Sequence, residues 1–209
     1  MTTTASESRK EGDPPPWHSR LAAQLKKIDH DPALAAACRR GRNTEPLDEI
    51  DMHEPISHVL EGDDDTGRAE YVPLRQREAV TVAAHHTLAL YACHMQSKSR
   101  TMHRPGLSLG TAARTLQTKM PSKDGAAQRF RAALSADSTT ELATHLRFLV
   151  SLLRTYDIAL DYVALADALA MWDQLERRRG LVRRWGMDFR RTPPKAVNND
   201  SNATDSPKE

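Results

Sequence analysis

The sequence predicts an all-α protein built as two packed helical bundles, one N-terminal and one C-terminal, with disordered tails. Three observations predict it. Aromatic residues make up only 5% of the 209 residues, while alanine, leucine and arginine are abundant, which favours helices over strands. Apolar residues recur at three- and four-residue spacing in one segment after another. Several of those segments open on a side chain suited to cap a helix N-terminus.

The ends come first. Residues 1–16 are polar and finish in Pro14-Pro15-Pro16, and residues 192–209 open on Thr192-Pro193-Pro194 with almost no apolar content. Neither stretch can bury enough surface to offset chain entropy, so both are expected to be disordered. The N-terminal bundle is expected over residues 17–120 and the C-terminal bundle over residues 121–191. An acidic loop at residues 61–70, carrying Asp63-Asp64-Asp65, interrupts the first bundle. Its acids do not alternate as a calcium-binding loop requires. No strand alternation is apparent, and about two helices are expected before the loop and five or six after it.

The elements follow in order. Trp17, Leu21, Leu25 and Ile28 form one stripe. Asp31 can cap a helix starting at Pro32, where the missing N–H costs nothing, and Gly41 can end it. Ala79, Val82, Ala83, His86, Leu90, Cys93 and Ser97 share a face of a long helix. Leu88, Tyr91 and Met95 add apolar groups elsewhere on it, so this helix should be central. Ser108 can cap the next helix, with its stripe of Leu109, Ala112, Ala113, Leu116 and Met120. Asp124 is the expected cap of a helix bearing Ala127, Phe130 and Leu134. Ser138-Thr139-Thr140-Glu141 is a capping-box pattern ahead of Leu142, Leu146, Leu149, Val150 and Leu153. Asp161 can cap a helix with Tyr162, Leu165, Leu169 and Trp172. Leu175, Val182, Trp185 and Phe189 continue the pattern, with a break or kink expected at Gly180.

Charge is segregated. The formal net charge is only +2. Between Tyr71 and Ser135, however, ten basic residues face two acids, and between Glu176 and Arg191 seven arginines face two acids. Such segregation suits a polyanion-binding face. The candidate contacts are Arg39, Arg40, Arg42, Lys98, Arg100, Arg104, Arg114, Lys119, Arg129 and Arg131, followed by Arg183 and Arg184. Arg129 and Arg131 straddle Phe130 and must point away from the core. Trp172, Trp185 and Phe189 could stack on bases, but their helical spacing assigns them to packing.

Other chemistries have less support. Cys38 and Cys93 are the only cysteines, and they form no metal or redox motif. No phosphate loop, nucleophile elbow or paired carboxylates occur in a recognisable setting, so no catalytic residue, cofactor or metal is assigned. The N-terminus has no signal-peptide core and no long apolar run exists, which predicts a cytoplasmic protein without a membrane partner. Two rival readings stay open. One is a helical metal-dependent phosphohydrolase using His30, Asp31 and His86, with His85 in reserve. The other is a protein–protein scaffold whose basic faces meet acidic partners.

Several phrases, taken in order, carry a resemblance over roughly residues 17–191. They are Asp31-Pro32-Ala33 leading to Arg39-Arg40-Gly41; Leu90-Tyr91-Ala92 with His94; and Ser108-Leu109-Gly110 with Arg114 and Leu116. Arg129-Phe130-Arg131, His145-Leu146-Arg147, Leu160-Asp161-Tyr162 and Leu165-Ala166-Asp167-Ala168-Leu169 with Trp172 follow. The set ends on Arg184-Trp185-Gly186-Met187-Asp188-Phe189. Together they resemble the small subunit of the type I-E CRISPR surveillance complex Cascade, the CasB family. Met187 stands where a basic residue would be expected in that family. The resemblance implies an all-helical, non-catalytic subunit of a ribonucleoprotein complex for antiviral defence. Its implied partners are the other Cascade subunits, a second copy of itself, the guide RNA, and the target DNA including the displaced strand. It also implies that basic residues stabilise the R-loop.

Overall fold

A computed structural model describes residues 14–63 and 69–191. Most of the two expected tails, and the middle of the acidic loop, lie outside the described residues. Among the described residues the helices are α1 (Pro16–His30), α2 (Pro32–Arg40), α3 (His53–Leu60), α4 (Leu74–Met95), α5 (Leu109–Lys119), α6 (Lys123–Leu134), α7 (Thr139–Thr155), α8 (Tyr162–Met171) and α9 (Leu175–Arg190). The all-α class holds. One departure is a short antiparallel ribbon of β1 (Glu61–Asp63) and β2 (Ala69–Tyr71), where a loop was expected. Arg20 clamps this ribbon to α3: its Nε donates to the Val59 carbonyl at 3.0 Å and its Nη1 to Glu70 at 3.1 Å.

The helix starts follow local chemistry. Asp31 accepts from the Ala33 and Leu34 amides at 3.0 Å, Ser108 from Thr111 at 3.2 Å, and Asp161 from Ala164 at 3.0 Å. Each satisfies amides that the helix cannot pair internally. Ser138 accepts from the Glu141 amide at 3.2 Å, while the Glu141 carboxylate accepts from Asp137 rather than Ser138. For α6 the expected cap was Asp124, but Ser122 takes the role, accepting from Gly125 at 3.3 Å. Asp124 instead lies in the first turn, where its charge suits the helix dipole. The break expected at Gly180 does not occur: α9 runs through it, and nothing within 4 Å would meet a side chain there.

Helix α4 is buried nearly all round, and it packs against α1, α2, α3, α7 and α8. The face expected to be its core includes half-buried Ala79, Val82 and Cys93, and Ser97 falls beyond the helix end. A helix surrounded on all sides has no single apolar stripe to read. Helix α5 packs against α6, α7 and α9, meeting α9 at Gly110, where a Cβ would lie 2.1 Å from the Trp185 carbonyl oxygen. One continuous apolar cluster runs from Trp17 to Trp185. Within it Trp172 stacks on Trp185 at 5.6 Å and Phe130 on Phe189 at 4.7 Å. The indole Nε1 of Trp172 donates to the Ala136 carbonyl at 3.1 Å. These aromatics are packing groups, as their spacing implied.

Candidate nucleic-acid interface

The site is built where α7 crosses the end of α4. Leu142, Leu146, Leu149, Val150 and Leu153 pin one face of α7 to the core. Arg147 and Arg154, seven residues apart and therefore on one side of the helix, stand at the margin of that face, half-buried. Opposite them, the short 3-10 turn of residues 41–43 presents Arg42. A Cβ at Gly41 would lie 1.9 Å from the Met52 sulfur, so a larger residue there would have to displace that buried thioether. Arg42, Arg147, Arg154, Cys93, Gln96 and Ser151 line a cavity of about 100 Å³. Gln96 Oε1 accepts from Arg154 at 2.7 Å, which fixes one guanidinium at the rim.

The positive charge continues past this cavity. Burial raises the Cys93 thiol above its ordinary range, partly offset by Arg42, Arg39 and Arg154. All three cations therefore act at one point. Buried His94 has its pKa pushed down to about 4, by burial first and then by Lys98, with Arg154 also contributing. At the C-terminal end of α7, Lys98 pairs with Asp157, Arg100 donates to the Asp157 carbonyl at 2.9 Å, and Lys119 donates to the Tyr156 carbonyl at 3.1 Å. The Tyr156 carbonyl belongs to the C-cap of α7 and lies at the negative end of its dipole, so a cation there is favourable. The Asp157 carboxyl is held below its ordinary range by the Lys98 hydrogen bond, helped by the charges of Lys98, Arg100 and Lys119. Arg39, Arg42, Arg147, Arg154, Arg100 and Lys119 thus form one basic row, within which the charge of Lys98 is answered by Asp157.

The other sequence candidates lie elsewhere. Arg40 pairs with Glu49 at 3.3 Å and with Asp51, so its charge is already answered by acids on the far side of α2. Arg104 is exposed in the loop before α5, whose backbone is tied to Leu160 at 3.0 Å. Arg114 is half-buried and donates to Gln117 at 2.7 Å. Arg129 turns back to the Gly125 carbonyl at 3.1 Å, and it and Arg131 lie exposed on α6. Arg183 and Arg184 are exposed on α9. The acid-poor stretch therefore divides between the basic row and separate helix surfaces. Sequence reasoning missed Arg147 and Arg154 as site residues, although their seven-residue spacing beside the leucine stripe was a usable signal.

Beneath the row lie His85, His86 and His94. His86 is driven down to about 4 by burial, then by neighbouring His85 and Arg147. His85 is also lowered by burial; backbone groups of Gly41 and Thr44 lie near it without meeting hydrogen-bond geometry. His94 Nδ1 bonds the Tyr162 hydroxyl at 2.9 Å. His86 was expected to be a hydrogen-bonded core histidine; it is core, but its Nε2 has no protein partner. Among the described residues no group of three His, Cys, Asp or Glu side chains is placed to hold a metal. The hydrolase reading lacks its ligand set there, and Asp31 is engaged as a cap. No helix among these residues is long and apolar enough to cross a membrane.

Comparison with known families decides the assignment. The family described as CRISPR-associated protein Cse2 matches residues 33–189. The chain belongs to the Cse2 family. No functionally curated protein matches it. Two solved structures share its fold. The crystal structure of CasB from Thermobifida fusca aligns with a TM-score of 0.68 at 26% identity, covering 83% of this chain and 97% of that one. A chain of a CRISPR RNA-guided surveillance complex aligns at 0.63 and 21% identity, covering 83% and 92%. The CasB resemblance read from the ordered phrases is thereby shown. The span matched to Cse2 contains the whole basic row.

Proposed function

We propose that this protein is the non-catalytic small subunit of a type I-E Cascade complex, and that its basic row contacts the guide–target region and the displaced DNA strand to stabilise the R-loop. Membership of the Cse2 family supports the assembly. The observation that carries the nucleic-acid role is the row from Arg39 to Lys119 across α2, the turn after it, the loop that follows α4, α5 and α7. Its partners in this reading are the other Cascade subunits, a second copy of itself, the guide RNA and the target DNA. Guide pairing supplies sequence specificity, while this subunit supplies phosphate contacts that ignore sequence and weaken with salt.

The test uses the assembled complex with Arg39→Glu, Arg100→Glu and Lys119→Glu combined. Target-DNA affinity is expected to fall, and the slope of log K against log salt to become shallower by about 0.9 for each phosphate that is no longer neutralised. Assembly should be unchanged by size-exclusion chromatography. An unchanged slope overturns the DNA contact, and failure to assemble favours the scaffold reading instead.

A further inference from the structure

An acid stands inside the basic row, and its position runs against local chemistry. Asp157 lies just past the C-cap of α7, in a Schellman turn: the Ile158 amide donates to the Leu153 carbonyl at 2.9 Å, and the Asp157 amide to that of Arg154 at 3.3 Å. That position favours glycine or asparagine, because the backbone there is left-handed, and Asp157 has a φ of 53°. It also lies at the negative end of the α7 dipole, where a carboxylate is disfavoured. A side chain that breaks two local rules points to a role outside its own helix. What answers it is a gathering of cations. Lys98 pairs with the carboxylate, Arg100 holds the Asp157 carbonyl, and Lys119 holds the carbonyl of Tyr156. Ser97, also left-handed with a φ of 62°, turns the chain just past the end of α4 and delivers Lys98. The carboxylate is the outer member of the pair: the Asp157 side chain is 52% exposed and that of Lys98 17%.

We propose that Lys98, Arg100 and Lys119 form an oxyanion site that the chain fills with its own Asp157 carboxylate, which therefore competes with phosphate for the basic row. The inference rests on the nucleic-acid reading and deepens it, naming what restrains that contact. A polyanion arriving from solvent meets the carboxylate before the Lys98 ammonium, and like charges repel. For a phosphate oxygen to reach Lys98, the ammonium must exchange one anion for the other, and Asp157 turns out into water. An exposed ion pair is weak enough for that exchange. The exchange loses nearly as much pairing as it gains, so Lys98 adds little to affinity while Asp157 is present. Such restraint suits a subunit whose phosphate contacts ignore sequence, because it leaves discrimination to guide pairing.

The experiment measures target-DNA binding by the assembled complex across a salt series, with Asp157→Asn and with Asp157→Gly. Both variants suit the left-handed turn and remove the charge. Each should tighten binding at fixed salt by roughly 2- to 5-fold, the factor that an exposed ion pair is worth. Each should also steepen the slope of log K against log salt by about 0.7 to 0.9, for one more phosphate neutralised. In a Lys98→Gln background, Asp157→Asn should no longer steepen the slope. Weaker binding or an unchanged slope in both variants overturns the competitor role and leaves Asp157 as a clasp between the ends of α4 and α7. A steepening that persists without Lys98 overturns the site as assigned. Failure of both variants to assemble overturns it in favour of a subunit contact. The triple variant Arg39→Glu, Arg100→Glu and Lys119→Glu separates the two readings. If its slope is unchanged, the DNA contact and this inference fall together; if its slope is shallower while Asp157→Asn changes nothing, only this inference falls.

Discussion

Arg147 and Arg154 of α7 lean over a shared cavity with Arg42, whereas Arg183 and Arg184 of α9 stand exposed beside a helix face closed by stacked tryptophans. The local sequences suggest the opposite emphasis. Helix α9 has the denser run of arginine and the tryptophan, and α7 reads as an ordinary leucine-striped helix. The difference is convergence. On α9 the apolar face carries Leu181 and Trp185 inward, so Arg183 and Arg184 fan outward into solvent, while Arg178 is bound to the Asp137 carbonyl. On α7 the arginines sit at the edge of the buried face, close to a turn from another part of the chain, and their fields add.

The largest expected effect separates packing from binding. Trp172→Ala removes a fully buried indole, its stack on Trp185 and its bond to Ala136. It should cost about 3–5 kcal/mol in urea unfolding, yet leave the nucleic-acid affinity of the folded fraction unchanged. A parallel fall in affinity would break the division between the two regions.

Acid should act on the other region. An unfolded histidine takes up a proton near pH 6.5, whereas His86 and His94 do so in the fold only at about 4. The unfolded chain therefore binds more protons in between. Their contribution is complete above pH 6.5 and is lost as pH falls toward 4, by about 2 kcal/mol for each histidine at pH 5. Hydrogen exchange at pH 5 and 7.5 should show α4 and α7 loosening more than α9. Replacing both histidines by leucine should flatten the dependence.

A smaller effect probes the join between the regions. In Gly110→Ala the new methyl would meet the Trp185 carbonyl at 2.1 Å and Asp188 Cβ at 2.9 Å. Forcing α5 from α9 should cost roughly 1–3 kcal/mol, more than the helix propensity gained, and lower the thermal midpoint. The smallest effect sharpens the contrast in charge. Arg183→Glu with Arg184→Glu should leave target-DNA affinity within about twofold, since exposed charges beyond a Debye length of ~8 Å are screened. Arg147→Glu with Arg154→Glu should reduce it far more. Equal reductions would place α9 on the same nucleic-acid path.

Particular elements show why some features were legible. Asp31, Ser108, Ser138 and Asp161 cap helices through amides two or three residues away, so their evidence is contained in a few neighbouring letters. Helix α3 was passed over because it is only eight residues long, with Pro55 in its first turn. The β ribbon depends on Glu61 meeting Tyr71 across residues that give no strand alternation. Gly180 was read as a break, but an exposed glycine in a packed helix costs only about 1 kcal/mol, which tertiary contacts on the opposite face outweigh.

The sequence by itself determined the all-α class, most helix starts, the burial of the tryptophans and the family, because periodicity, capping and ordered phrases are written along the chain. Only the tertiary structure decided which cations act together. It took Arg40 out by pairing it with Glu49 and Asp51, and brought Arg147 and Arg154 in beside Arg42, more than a hundred residues away. Electrostatic convergence depends on distance in space, and linear spacing does not encode it beyond a few helical turns.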